Sequence, residues 1–178
     1  GLSFNDASVT VTGAQQLEGL SQGAAAQVKT LLGHADVTVD LQAQDVQALV
    51  SGSVATRDAH FDQVVAALQG VGVDHIGLEA EQVVELAQAG LSFDHVDVTV
   101  NGTSFLSGGA SLSAVDALFA DANVTVNLTA QDVAGFVAQH NDAAFDGVIA
   151  KLQSEGVDHI GIDGGQALQL ANAGLSFN

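Results

Sequence analysis

The stretch GVDHIGLEAEQVVELAQAGLSFDHVDVTVNGT, residues 72–103, decides how this chain is read. An apolar strand signal at 73–78 gives way to a helical segment at 81–89, then to Asp97-Val98-Thr99-Val100-Asn101, where apolar and polar residues alternate. Period two puts one side of a strand in a core and the other in water, whereas spacings of three and four mark a helix. Between the two, Gly90 suits the left-handed stop of a helix, with Leu91 folding back on the last turn. A strand, a helix and a second strand in succession call for parallel strands joined by a right-handed crossover.

Outward from this stretch the sequence repeats itself. GVDHIG returns at 156–161 and AGLSF, first seen at 89–93, returns at 173–177. Val9-Thr10-Val11 aligns with Val98-Thr99-Val100, Val37-Thr38-Val39-Asp40-Leu41 with Val124-Thr125-Val126-Asn127-Leu128, and Phe61-Asp62 with Phe145-Asp146. Repetition is the signature of stacked copies, here 1–89 and 90–178, with separate cores or one shared core. The second copy is shorter between the counterparts of Gly19 and Val28, and again where SGSVATR before Asp58 faces the shorter AQHN. Such changes in length are tolerated in surface connections.

Alternating strands are expected at 8–12, 36–41, 97–101 and 123–128, and more deeply buried ones at 73–78 and 157–162, about three per copy. Helical stripes fall between them: Phe61, Val64, Val65 and Leu68 match Phe145, Val148, Ile149 and Leu152. Val46, Leu49 and Val50 match Val133, Phe136 and Val137, and Val28, Leu31 and Leu32 match Val115, Leu118 and Phe119. Asp58 and Asp142 are expected as helix caps, and Thr129 with Asp132 as a capping box in which Gln42 replaces the Thr in the first copy. Further helices are expected at 81–89 and 166–173.

The expected fold is therefore α/β: a tandem repeat of mainly parallel strands with helices mainly on one side, in a solenoid-like or elongated two-layer array. Its uncovered strand face would carry Thr10, Thr12, Asp36, Thr38, Asp40, Asp97, Thr99, Asn101, Asn123, Thr125 and Asn127, a candidate binding face.

With 47% hydrophobic and 13% charged residues over 178 positions, the chain is too apolar for a disordered tail. Three basic residues against 21 acidic ones leave a net charge of -18, which repels nucleic acid and anionic membranes and invites divalent cations. Without Cys there is neither a disulfide framework nor a thiolate zinc site. No apolar run approaches a membrane span, so membrane insertion is not expected.

Motif chemistry is sparse. Gly19-Leu20-Ser21-Gln22-Gly23 has the form of a nucleophile elbow, but no strand ends at Ser21 and the second copy lacks the pentapeptide. Asp74-His75 and Asp158-His159 occur in both copies, although neighbours on a strand point to opposite faces. With Glu79 and Asp163 four residues beyond each histidine, His75, Glu79, His159 and Asp163 are candidate ligands for a divalent metal; a histidine bonded inside the repeat interface is the competing expectation. Asp36, Asp40, Asp94 and Asp97 could hold calcium weakly, but no loop has the spacing of a dedicated calcium cage. Sequons at Asn101, Asn123 and Asn127 follow from alternating Asn and Thr. No catalytic residue and no cofactor beyond possible calcium is expected.

Taken together, GVD, an apolar helix, AGLSF and an alternating VTV strand resemble α/β repeats of large bacterial surface and secreted proteins, the adhesin-like and haemolysin-type proteins exported by type I secretion. The resemblance implies an extracellular or cell-surface module, structural or adhesive, with roles such as biofilm attachment, whose partners are adjacent repeats and possibly a surface glycan or protein. The family's glycine-rich calcium repeats are missing from this sequence.

Overall fold

The computed structural model describes residues 4–107, 110–139 and 142–177. Its strands are β1 (Asn5–Thr12), β2 (His34–Asp40), β3 (His75–Glu79), β4 (Asp94–Asn101), β5 (Asp121–Asn127) and β6 (Val157–Gly161). Among the described residues the helices are α1 (Gln15–Glu18), α2 (Gln22–Leu32), α3 (Ala43–Leu49), α4 (Val54–Gly70), α5 (Ala80–Gln88), α6 (Leu112–Phe119), α7 (Ala130–Gln139), α8 (Asp142–Ser154) and α9 (Gly164–Asn172), with a 3-10 turn at Ser104–Ser107. The fold is α/β, with one six-stranded sheet in which every pair is parallel and the spatial order follows the chain order.

The alternation read from the sequence sets the two faces of this sheet. Val37, Val39, Val98, Val100, Val124 and Val126 are almost fully buried, as are Ile76 and Leu78, and all belong to one hydrophobic cluster that spans the chain. The Thr, Asp and Asn residues between them remain partly or fully exposed. A parallel sheet normally buries both faces under helices. Here the second face is polar and open.

The join expected near 89/90 lies inside the sheet. His75 to Glu79 of β3 pair with Asp97 to Asn101 of β4 in unbroken register, so both copies contribute to one sheet. Phe61 and Phe93 meet edge-on across the same region, with ring centroids 5.0 Å apart. The two AGLSF motifs end their helices alike. Gly90 and Gly174 take φ of 74° and 75°, their N–H groups donate to Ala87 and Ala171, and Leu91 and Leu175 donate to Leu86 and Leu170. This double bond is the Schellman stop that a left-handed glycine permits.

One expectation about a helix end needs correction. Asp58 is not a cap: α4 starts a full turn earlier at Val54, behind Ser53, whose carbonyl accepts the Thr56 hydroxyl. The extra residues of SGSVATR thus lengthen a helix instead of enlarging a loop. Asp142 lies in the first turn of α8, where it accepts from the Ser176 N–H at 3.3 Å. The short α1 and the turn at Ser104–Ser107 have no counterpart among the expected helices, since a single turn shows no period.

One buried group stands out. Glu155 is 5% exposed, and its Oε2 has no hydrogen-bond partner among the described residues. The matching position in the first copy is Val71, an ordinary core residue. Burial raises the Glu155 carboxyl above its usual range, and Asp116 adds to the rise while Lys151 opposes it. The folded state therefore holds this proton more tightly than the unfolded one, and loses stability as pH rises through the raised value. Glu155→Val is expected to stabilise the protein by about 1–3 kcal/mol at neutral pH, with a gain that shrinks toward the ordinary carboxyl range. Thermal melts of both proteins across pH check this, and a gain that grew in acid would contradict it.

Candidate functional site

On the open face polar side chains stand in ordered rows. Along one row β1 to β5 present Thr10, Thr38, His75, Asp97 and Asn123 in register. The next row, across all six strands, holds Thr12, Asp40, Gly77, Thr99, Thr125 and His159. Asn101 and Asn127 follow beside Glu79. All the residues expected on the binding face lie here, with Asp36 at its near end.

Side chains link the strands within these rows. Asn123 donates to Asp97 at 3.1 Å, Asp97 Oδ2 lies 3.6 Å from His75 Nδ1, and His75 Nε2 lies 2.9 Å from Asp36 Oδ1. Farther along, Asn127 donates to Asn101 and Asn101 to Glu79. The amide nitrogens of the three sequons are thus engaged with neighbouring strands. Gly77 and Gly161 are needed because the side chains of Asp40 and Asn127 lie across them, where a Cβ would stand. Burial raises the Asp40 carboxyl, and the nearby Glu79 carboxylate raises it further.

The duplicated Asp-His pair divides between two tasks. Asp74 and Asp158 accept the backbone N–H groups of Val37 and Val124, at 3.1 and 2.9 Å, fastening each strand to its neighbour. His75 and His159 belong to the open face. His75 is clasped between two carboxylates, whereas His159 lies on the edge strand and is exposed.

The four candidate metal ligands are not gathered into a site. His75 and Glu79 are four residues apart on one strand, which separates them by about 13 Å. Glu79 and Asp163 instead sit at the N-caps of α5 and α9. Among the described residues no group of three His, Asp or Glu side chains is arranged to hold a metal ion. A shallow depression of about 720 Å³ does open beside Ser8, His34, Asp36, Asp74, His75 and Asp97. Ser21 is the N-cap of α2 and accepts the Ala24 N–H, so GLSQG forms no strand-to-helix elbow.

Four residues at the carboxyl ends of the strands form a further set, of which only Asp132 was marked by the sequence, as half of a capping box. Each stands third in a helix, accepts the N–H of the residue before that helix, and reaches a neighbouring strand exit. Asp45 accepts from Gln42 and Ala14, and Asp132 accepts from Thr129 and Thr103. Gln82 accepts from Glu79 and donates to the Leu41 carbonyl, and Gln166 does the same between Asp163 and Leu128. Glutamine at the third position before an apolar run was the signal available.

No family model, curated protein or solved structure matches this chain. Among the described residues no helix is long and apolar enough to cross a membrane.

Removing Asp74 strands a buried strand N–H, whereas removing His75 loses only a partly exposed pair. Asp74→Ala is therefore expected to cost about 1–3 kcal/mol and His75→Ala at most about 1 kcal/mol. Urea unfolding ranks the two, and the reverse order would contradict these roles. For Asp132, burial alone would raise the carboxyl, but the hydroxyls and N–H groups of Thr103 and Thr129 outweigh it and hold it below the usual range. Its contribution is present above the ordinary carboxyl range and lost as pH falls through the lowered value. Asp132→Asn should cost about 1–2 kcal/mol at neutral pH, discounted for partial exposure, and should flatten the acid limb of the stability profile.

Proposed function

We propose that this chain is a non-enzymatic structural or adhesive module, one stretch of a large, acidic, multi-unit bacterial polypeptide displayed outside the cell or on its surface. The observation that carries this reading is what the duplication preserves. Asp74 and Asp158, Asp45 and Asp132, and Gln82 and Gln166 are kept in both copies, and all of them hold backbone. The pattern of GVD, AGLSF and VTV, similar to the repeats of adhesin-like exported proteins, supplies the setting.

On this reading each copy is a three-strand unit, and units stack edge to edge into an elongated, solenoid-like array. Strand order that follows chain order supports it, because right-handed crossovers repeated in one direction carry each helix to the same side of the sheet. Two chains fused in frame should then add about 29 Å to the longest dimension in small-angle scattering, six strands at the parallel spacing. A fused protein that stays as short as the single chain would sink the array. Turnover of any substrate by the folded protein, lost in Ser21→Ala or His75→Ala, would sink the non-enzymatic reading.

A second reading is favoured by the open face itself, where hydroxyls, amides and carboxylates stand in register over six strands. It takes that face as a binding surface for a glycan, a protein partner or calcium, with a cation drawn to Asp40 and Glu79, whose mutual repulsion it would relieve. Calorimetric titration with calcium, and glycan and matrix arrays, test it against Asp40→Asn and Thr99→Val. Binding that these variants weaken without unfolding supports a site on the face, and binding that they leave unchanged places the ligand elsewhere.

A further inference from the structure

We propose that β1 and β6, the outer strands of the sheet among the described residues, are complementary halves of one interface, so that separate copies of this chain associate head to tail, β6 of one pairing in parallel with β1 of the next. The seam between β3 and β4 supplies the template. There His75, Ile76, Gly77, Leu78 and Glu79 stand opposite Asp97, Val98, Thr99, Val100 and Asn101. The residues at the matching positions of the two outer edges are His159, Ile160, Gly161, Ile162 and Asp163 on one side and Ser8, Val9, Thr10, Val11 and Thr12 on the other. Apolar again faces apolar, glycine faces threonine, and a carboxylate faces a side-chain donor.

Exposure separates the closed seam from the open edges. Val98 and Val100 are 1% and 0% exposed, whereas Val9 and Val11 are only half-buried. Ile76 and Leu78 are buried, and their counterparts Ile160 and Ile162 are half-buried. On the helix that covers the seam Val83 and Ala87 are buried, whereas on α9 the matching Ala167 and Ala171 face solvent. Phe93 is fully buried, but Phe177 and Phe4 are 49% and 45% exposed. Phe4 already donates its N–H to Leu31 as Phe93 donates to Leu118, so β1 begins with the geometry the seam uses.

Two forces oppose this contact. Each copy carries a net charge of -18, so association needs salt to screen the repulsion. Phe177 also packs on Phe145 with centroids 5.1 Å apart, matching Phe93 on Phe61, and the incoming Phe4 must displace it. An open edge whose partner surface lies at the other end of the same molecule forms a heterologous contact that does not close.

Sedimentation velocity of the intact chain at low and high salt, over a concentration series, tests the proposal. Growth beyond the dimer with concentration is expected at high salt and little at low salt. Ala171→Lys, exposed in the single chain, should abolish growth without moving the melting temperature, and Phe177→Gly should enhance it. A monomer at every salt and concentration, a closed dimer, or growth untouched by Ala171→Lys would overturn it. A monomer would leave the module reading standing, because that reading concerns units joined within one polypeptide.

Discussion

Every strand in this protein leaves the sheet toward a helix, and each exit exposes peptide groups that a parallel ladder no longer satisfies. Asp45, Gln82, Asp132 and Gln166 meet that demand with one side chain apiece, bonding the start of a helix and the exit of the adjacent strand. A bond to either group alone would fix a cap, but bonding both fixes the distance between a helix and the neighbouring strand. Buried backbone groups left unpaired are costly, so the spacing of the sheet and its helices is tied to these four positions.

The carboxylate and carboxamide versions of this device differ in what they can bond. Aspartate only accepts, and its partners are N–H or hydroxyl groups at Ala14, Gln42, Thr103 and Thr129. Glutamine accepts with one atom and donates with the other, so it reaches the carbonyls of Leu41 and Leu128. The second and fifth strands therefore end on a carbonyl held from the helix that follows the neighbouring strand, α5 after β3 and α9 after β6, while the first and fourth end on a donor. That alternation repeats in the second copy without exception, although Gln42 and Thr129 differ, because the bond is made to backbone at that position.

Much of this was legible in the sequence. The Val rows of the strands, the polar face from Thr10 to Asn127, and the helix stops at Gly90 and Gly174 follow from period two, period 3.6 and the left-handed tolerance of glycine. Those signals lie within a few neighbouring residues. What stayed hidden depends on groups far apart in sequence. Gln82 looks like any surface glutamine until Leu41 is brought beside it, and Asp74 looks like half of a catalytic pair until the Val37 N–H arrives. The start of α4 was missed because SGSVATR has no apolar stripe, and its first turn is held by Ser53 and Thr56 instead. Glu155 could have been found, since aligning the copies sets it against Val71.

The differences between the copies bear on function as strongly as the likenesses. If the Asp-His pair were a reacting site, its second occurrence should keep the surroundings of the first. The carboxylates around His75 come from Asp36 and Asp97, and the residue matching Asp36 beside His159 is Asn123, which donates to Asp97 instead. The aspartate half keeps its backbone partner in both copies, within 0.2 Å of the same length, at 3.1 and 2.9 Å. Divergence in the exposed histidine's setting, with constancy in the aspartate's bond, is the pattern of a sequence held to a geometry.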